Sequence, residues 1–126
     1  MTPQLALIAT AALGNIALGA LVLLRQPRAK INRYFAVFSF SVAAWTASNA
    51  LALAQLRFAP PDLFPRLAFA SASLIPVGFL LFSTVFPTPI PAPPPRTVMA
   101  LVGAGVLFWA ASLTHAIVHD AVPTSP

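Results

Sequence analysis

Two residue types that carry much of protein chemistry are absent or scarce in this sequence. The 126 residues include no cysteine, and the only acids are Asp62 and Asp120. Without cysteine there can be no disulfide, thiolate metal site, iron–sulfur cluster or thiol nucleophile. Two acids are too few for a carboxylate metal site or for a pair of catalytic carboxylates. We therefore predict that the protein is not an enzyme and that it binds no metal.

Charge of either sign is scarce as well. Charged residues make up 7% of the chain, against about 25% in ordinary soluble domains. Hydrophobic residues make up 59%. So few charges cannot cover a water-exposed surface, and so much hydrophobicity excludes a disordered chain. An integral membrane protein remains, and the net charge of +5 then indicates membrane topology rather than nucleic-acid binding.

Four windows are long and apolar enough to cross a bilayer, which takes about 20 residues. They lie at about 5–24, 34–56, 67–86 and 97–119. Because the bilayer core offers no water to the backbone, each should be a helix. The sequence predicts an all-α, polytopic membrane protein with one transmembrane domain over residues 1–126, a proline-rich connection at 87–96 and a short tail at 120–126.

Positive residues are distributed unevenly among the connections. The first connection, 25–33, holds four, the third holds Arg96, and the second holds Arg57 and Arg66. Positive residues accumulate on the cytoplasmic side, so the first and third connections should be cytoplasmic and both termini outside. No charged side chain precedes the first span, which favours a retained helix over a cleaved signal peptide.

Small residues recur on one face of the second span and on one face of the fourth. Such faces let helix backbones approach closely in a membrane, so we predict that both are helix contacts. Ala47→Leu should therefore disrupt packing more than Phe38→Leu on the opposite side. The second span contributes Ala36, Ala43, Ala47, Ala50 and Ala54, and the fourth contributes Ala100, Ala104 and Ala111.

Three residues are candidates for a pocket. Trp45 lies near the middle of the second span and is either a bulky filler facing a neighbour or lipid, or one wall of a ligand pocket with Asn49 one turn later. Pro76 lacks a backbone donor and predicts a kink in the third span, which is structural or part of the same pocket. The six prolines of the third connection favour an extended strap, so the third and fourth spans need not be neighbours.

His115 is the candidate for a cofactor contact, because histidine binds metals and tetrapyrroles. It follows Ala111 by one turn, a spacing similar to that of pigment-binding helices in bacterial light-harvesting polypeptides. In the alternative interpretation, His115 and His119 are hydrated at the outer membrane interface. We predict no cofactor, with a tetrapyrrole at His115 as the alternative.

The second and third spans also carry a set of residues typical of one family. These residues are Asn32, Arg33, Tyr34 and Phe35 at the start of the second span, Trp45 within it, and Pro76, Phe79, Phe82, Phe86 and Pro87 in or just after the third. The set resembles the amino-terminal half of the seven-helix membrane domain of bacterial sensor histidine kinases. The resemblance implies a bacterial cytoplasmic membrane location. It does not extend to the kinase part, so the chain would be a fragment or a small protein built from such a half-domain.

Two functions are consistent with these features. The first is a non-catalytic sensor-input module that acts through helix–helix contacts with other membrane proteins or with a second copy. The second is an accessory or scaffold subunit of a respiratory, photosynthetic or transport complex. Lipid is a partner in both, and nucleic acid in neither. A transporter is disfavoured because the spans contain no buried pair of ionisable residues.

Overall fold

The computed structural model describes residues 2–54, 59–86 and 93–114. These residues form four α-helices, α1 (Pro3–Arg25), α2 (Lys30–Leu53), α3 (Leu63–Val85) and α4 (Pro95–Ser112), and the described part of the chain contains no strand. Each helix is long and apolar enough to cross a membrane. The predicted all-helical, four-span architecture is confirmed.

All four helices begin before the apolar windows do. Helices α2 and α3 start at Lys30 and Leu63 rather than at 34 and 67, because each first turn contains a charged residue, Arg33 or Arg66, that ends the apolar window. Helix α1 is capped by Thr2, whose hydroxyl accepts a hydrogen bond from the Leu5 N–H at 3.3 Å. Helix α4 opens at Pro95, whose fixed φ and missing N–H suit a first turn.

The carboxyl-terminal ends of two spans differ from the predicted bounds. Helix α2 ends at Leu53 rather than 56, and residues 55–58 lie outside the described residues. Helix α4 ends at Ser112, and the Leu113 N–H that follows bonds to the Ala110 carbonyl in a tighter turn. The rest of the predicted fourth span, from 115 to 119, lies outside the described residues, as do the tail and most of the proline-rich connection.

The four helices lie side by side in a row, each antiparallel to the next. Helix α2 contacts α1 and α3, and α3 also contacts α4, whereas no other pair of these helices is in contact within the described residues. The two inner helices are therefore covered on two sides and the outer two on one side only. The buried share of each apolar window reflects this order, at 39% and 22% for α2 and α3 against 11% and 6% for α1 and α4.

Large apolar side chains point away from the helix contacts. Leu7, Leu24, Met99 and Leu107 are all more than 70% exposed. Such a surface is unfavourable in water, whereas in a bilayer the lipid tails cover it. The buried apolar residues are instead mostly small: Ala12, Ala36, Ala43, Ala50, Ala68, Ala70 and Val77.

Helix α3 passes through Pro76 as one continuous helix. One turn earlier, the Ser73 hydroxyl donates to the Ala70 carbonyl at 2.7 Å, a side-chain bond of the kind that can accompany a proline in a membrane helix. The kink at Pro76 stays a prediction.

Candidate functional site

Charged side chains collect at one end of the row. Because consecutive helices are antiparallel, the end of α1, the start of α2 and the start of α4 lie on the same side. Five positive residues occupy this basic end: Arg25, Arg28, Lys30, Arg33 and Arg96. At the opposite end, within the described residues, the Arg66 guanidinium pairs with the Asp62 carboxylate one turn earlier on α3. The structure thus gives the row two ends of different charge.

Asn32 joins α1 to α2 at the basic end. Its side-chain amide donates to the Val22 carbonyl at 3.0 Å and to the Gln26 carbonyl at 3.4 Å. Carbonyls in the last turn of a helix lack partners within the helix, so the amide satisfies the end of α1. This bond explains the asparagine at the entry of the second span, since it fixes the tight connection between the two helices.

The contact between α1 and α2 centres on Ser39. This residue is 1% exposed, and its hydroxyl donates to the Asn15 carbonyl of α1 at 2.9 Å. Gly19 lies next to it, where an added Cβ would stand 3.0 Å from the Phe40 ring and 3.2 Å from the Ser39 Cβ. A glycine here lets the two backbones approach closely enough for the hydrogen bond.

Helices α2 and α3 approach each other closely at Gly78. A Cβ at this position would stand 2.7 Å from the Phe38 Cα and 2.9 Å from the Phe38 backbone nitrogen. Two aromatic pairs also join the helices. The ring centroids of Phe38 and Phe79 are 6.0 Å apart, and those of Phe35 and Phe82 are 5.8 Å apart in an edge-to-face arrangement. Phe79 and Phe82 of α3 therefore contact α2 on the side that carries Phe38.

The alanines of the second span differ in burial. Ala36, Ala43 and Ala50 are buried at 2%, 3% and 8% exposure, Ala47 is half-buried, and Ala54 is exposed. Ala36 and Ala43 lie one turn from Ser39, on the side that faces α1. Since Phe38 also lies at a helix contact, α2 packs on two sides rather than on one.

Helix α4 contacts α3 through Gly105. A Cβ at this position would overlap the Val77 side chain, so the glycine is what permits this approach. The predicted packing face lies elsewhere on the helix: Ala100 and Ala104 are exposed and Ala111 is half-buried. Within the described residues, no neighbouring helix covers Ala100 or Ala104.

The pocket residues are divided between two clefts. Trp45 and Asn49 line an open cleft of about 250 Å³ between α2 and α3. Pro76 lines a separate cleft of about 440 Å³ between α3 and α4, together with Phe79 and Leu101. The structure therefore brings Trp45 and Asn49 together but does not bring Pro76 to them.

The described residues hold no group of three His, Cys, Asp or Glu side chains that could bind a metal ion. The cofactor candidate, His115, and the neighbouring His119 both lie outside the described residues.

Several contact residues were not predicted from the sequence, although the spacing of small residues indicates them. Small residues recur at intervals of seven or eight positions on α1, α3 and α4, which places each pair on one helix face. The pairs are Ala12 and Gly19, Ala70 and Gly78, and Gly105 and Ser112, and five of these six residues are buried. Glycine and serine carry the same small-residue signal as the alanines of α2.

Four membrane-capable helices, packed in a row through small residues, define a multi-pass membrane protein. A family model described as the N-terminal 7TM region of histidine kinase matches residues 7–124 of the 126-residue chain. The chain belongs to this family, and the resemblance seen in the sequence is confirmed. No curated protein and no solved structure matches the chain.

Proposed function

We propose that the protein is a non-catalytic sensor-input module of the bacterial cytoplasmic membrane. The observation that carries the proposal is the family match over residues 7–124, since the family is the membrane region at the amino terminus of histidine kinases and excludes the kinase part. Of the two functions considered from sequence, the match supports this one and gives no support to an accessory subunit of another complex.

The contact between α2 and α3 offers a way to pass a signal across the membrane. Toward the basic end the two helices are held together at Gly78 and by the pair Phe35 and Phe82. Toward the other end the same two helices line the open cleft beside Trp45. A molecule that changes the separation at the open end would shift the closely packed end, because packed helix contacts transmit displacements.

The basic end is proposed to lie in the cytoplasm. Five positive residues at that end follow the positive-inside distribution, and Arg33 and Arg96 extend it onto α2 and α4. The cleft beside Trp45 then opens in the outer half of the membrane. A signal received there would be transmitted toward the side on which ATP is present.

The partner is proposed to be another membrane protein or a second copy of the chain, in contact through α4. This helix has the smallest buried share of the four, and its exposed side includes Ala100, Ala104 and Gly103. Small residues allow a second helix to approach its backbone.

The test is to measure histidine-kinase autophosphorylation in membranes of the source organism. Inverted vesicles from the wild type and from a strain lacking this protein are incubated with radiolabelled ATP, and labelled kinases are compared. The proposal predicts that removal changes the labelling of one membrane kinase and that the wild-type chain restores it. Gly78→Leu, which separates α2 from α3, should insert into the membrane without restoring it. Identical labelling with and without the protein would contradict the proposal.

A further inference from the structure

The cleft between α2 and α3 has the composition of a small-molecule site. It has a volume of about 250 Å³ and opens on the surface of the four-helix row. None of its lining residues is charged. They are Trp45, Asn49, Ala52, Pro65, Ala68, Phe69 and Ala72.

Two aromatic side chains, one from each helix, line this cleft. Trp45 is 43% exposed and Phe69 is 52% exposed, so neither ring is fully used in packing the protein itself. Between them lie small side chains, including the buried Ala68, which leave room for a guest. Aromatic faces of this kind favour a flat molecule, because stacked or edge-on ring contacts add to the burial of area.

Asn49 is the polar group of the cleft. One of its amide hydrogens is donated to the Trp45 carbonyl of its own helix at 2.8 Å. Within the described residues, its other N–H and its Oδ1 have no hydrogen-bond partner. The residue is half-buried and lies one turn before the end of α2, about 6 Å along the axis, so its remaining polar atoms are accessible to a molecule in the cleft.

We propose that this cleft binds a small, neutral, planar carbonyl compound of the quinone class that reaches it from the bilayer. The free N–H of Asn49 donates to the carbonyl oxygen, and Trp45 and Phe69 hold the ring. A charged ligand is excluded because the lining offers no opposite charge to replace its lost hydration. The role of this binding as the input signal rests on the proposed function. The binding itself does not depend on that function.

The chain provides its own reporter for binding. It has two tryptophans, Trp45 in the cleft and Trp109 on α4, so Trp109→Phe leaves Trp45 as the single indole. The probe is 1,4-naphthoquinone, which quenches indole fluorescence on contact and has no thiol to react with in this cysteine-free chain. In lipid nanodiscs, Trp109→Phe should show quenching that saturates with quinone concentration. The matched variant Trp45→Phe reports from Trp109 and should show only the unsaturable quenching of dissolved quinone.

Two further variants in the Trp109→Phe background test the contacts. Asn49→Leu keeps the side-chain size and removes the donor, which should weaken apparent affinity about 3- to 10-fold. Ala72→Phe fills the cleft and should abolish saturable quenching. Circular dichroism and the melting temperature confirm that each variant is folded. The proposal is overturned if quenching of Trp45 does not saturate, if Trp109 saturates equally, or if both variants bind like their parent.

The kinase assay separates this inference from the proposed function. Quinone is added to the inverted vesicles described above, and kinase labelling is compared with binding at Trp45. Saturable binding without any effect of the protein on a kinase would support the site and contradict the signalling role. An effect of the protein on a kinase without saturable binding would support the signalling role and overturn the quinone site.

Discussion

Gly78 of α3 lies against the backbone of Phe38 of α2, so closely that a Cβ on the glycine would stand 2.7 Å from the Phe38 Cα. Real Cβ atoms essentially never approach another atom so closely, and a backbone atom cannot rotate out of the way. The spacing of the two inner helices is therefore set by the absence of a side chain at one position.

The first prediction concerns this contact. Gly78→Ala should lower stability by about 1–3 kcal/mol, because the methyl group forces the two backbones apart. The loss appears as a lower melting temperature of the purified protein in detergent. Gly103→Ala is the matched control, since a Cβ there has nothing within 4 Å and alanine favours the helix. Equal melting temperatures for the two variants would show that α2 and α3 do not meet at Gly78.

The second prediction concerns the alanine face of α2. Ala43 is 3% exposed, and Ala43→Leu should destabilise the protein because the larger side chain has no space at this contact. The adjacent Ala44 is exposed, so Ala44→Leu should change the free energy of unfolding by no more than about 0.5 kcal/mol and leave the melting temperature nearly unchanged. Phe38→Leu is unsuitable as the mild control, because Phe38 lies at the contact with α3. A harmless Ala43→Leu would show that this face is open to lipid.

The third prediction concerns the hydrogen bond between α1 and α2. Ser39→Ala removes the donor to the Asn15 carbonyl and should lower the free energy of unfolding by about 0.6–1.7 kcal/mol, from the average to the maximum for hydrogen bonds between membrane helices. Ser41 is also buried, but its hydroxyl donates to the Val37 carbonyl of its own helix at 2.8 Å. Ser41→Ala should therefore change stability less, as measured by unfolding in mixed micelles. The opposite order of the two losses would contradict the assigned contact.

The fourth prediction concerns orientation and uses the absence of native cysteine. Gln26→Cys places a thiol in the basic connection, and Pro61→Cys places one between α2 and α3 at the other end of the row. Both positions are exposed. On intact cells, a membrane-impermeant thiol reagent should label position 61 but reach position 26 only after permeabilisation, because positive residues stay in the cytoplasm. The reverse pattern would invert the proposed topology.

The architecture could be predicted from the sequence because it depends on quantities that are local to the chain. Four apolar stretches of sufficient length must form four helices in a bilayer, and the positive residues beside them bias the topology. The predicted starts at 34 and 67 are each four residues late, because Arg33 and Arg66 interrupt the apolar windows within the first turns of α2 and α3.

The candidate site could be predicted only in part. Trp45 and Asn49 share a cleft because one helical turn separates them on the same helix, and that relation is visible in the sequence. Pro76 belongs to a different cleft, and its distance from Trp45 depends on how α3 is placed against α2. No pattern within either helix carries that information.

The residues alone indicate a membrane protein, the four apolar helices of its described part, and the gathering of five positive residues at one end. Which helices are neighbours follows from the packed fold alone, as does the placing of Gly78, Ser39 and Gly105 at the contacts and of exposed Ala104 away from them. The physical reason is that lipid tails are as apolar as leucine, so hydrophobicity does not distinguish a face that meets lipid from one that meets a helix. Association in a bilayer depends on how closely two shapes fit, and fit is a property of two helices together.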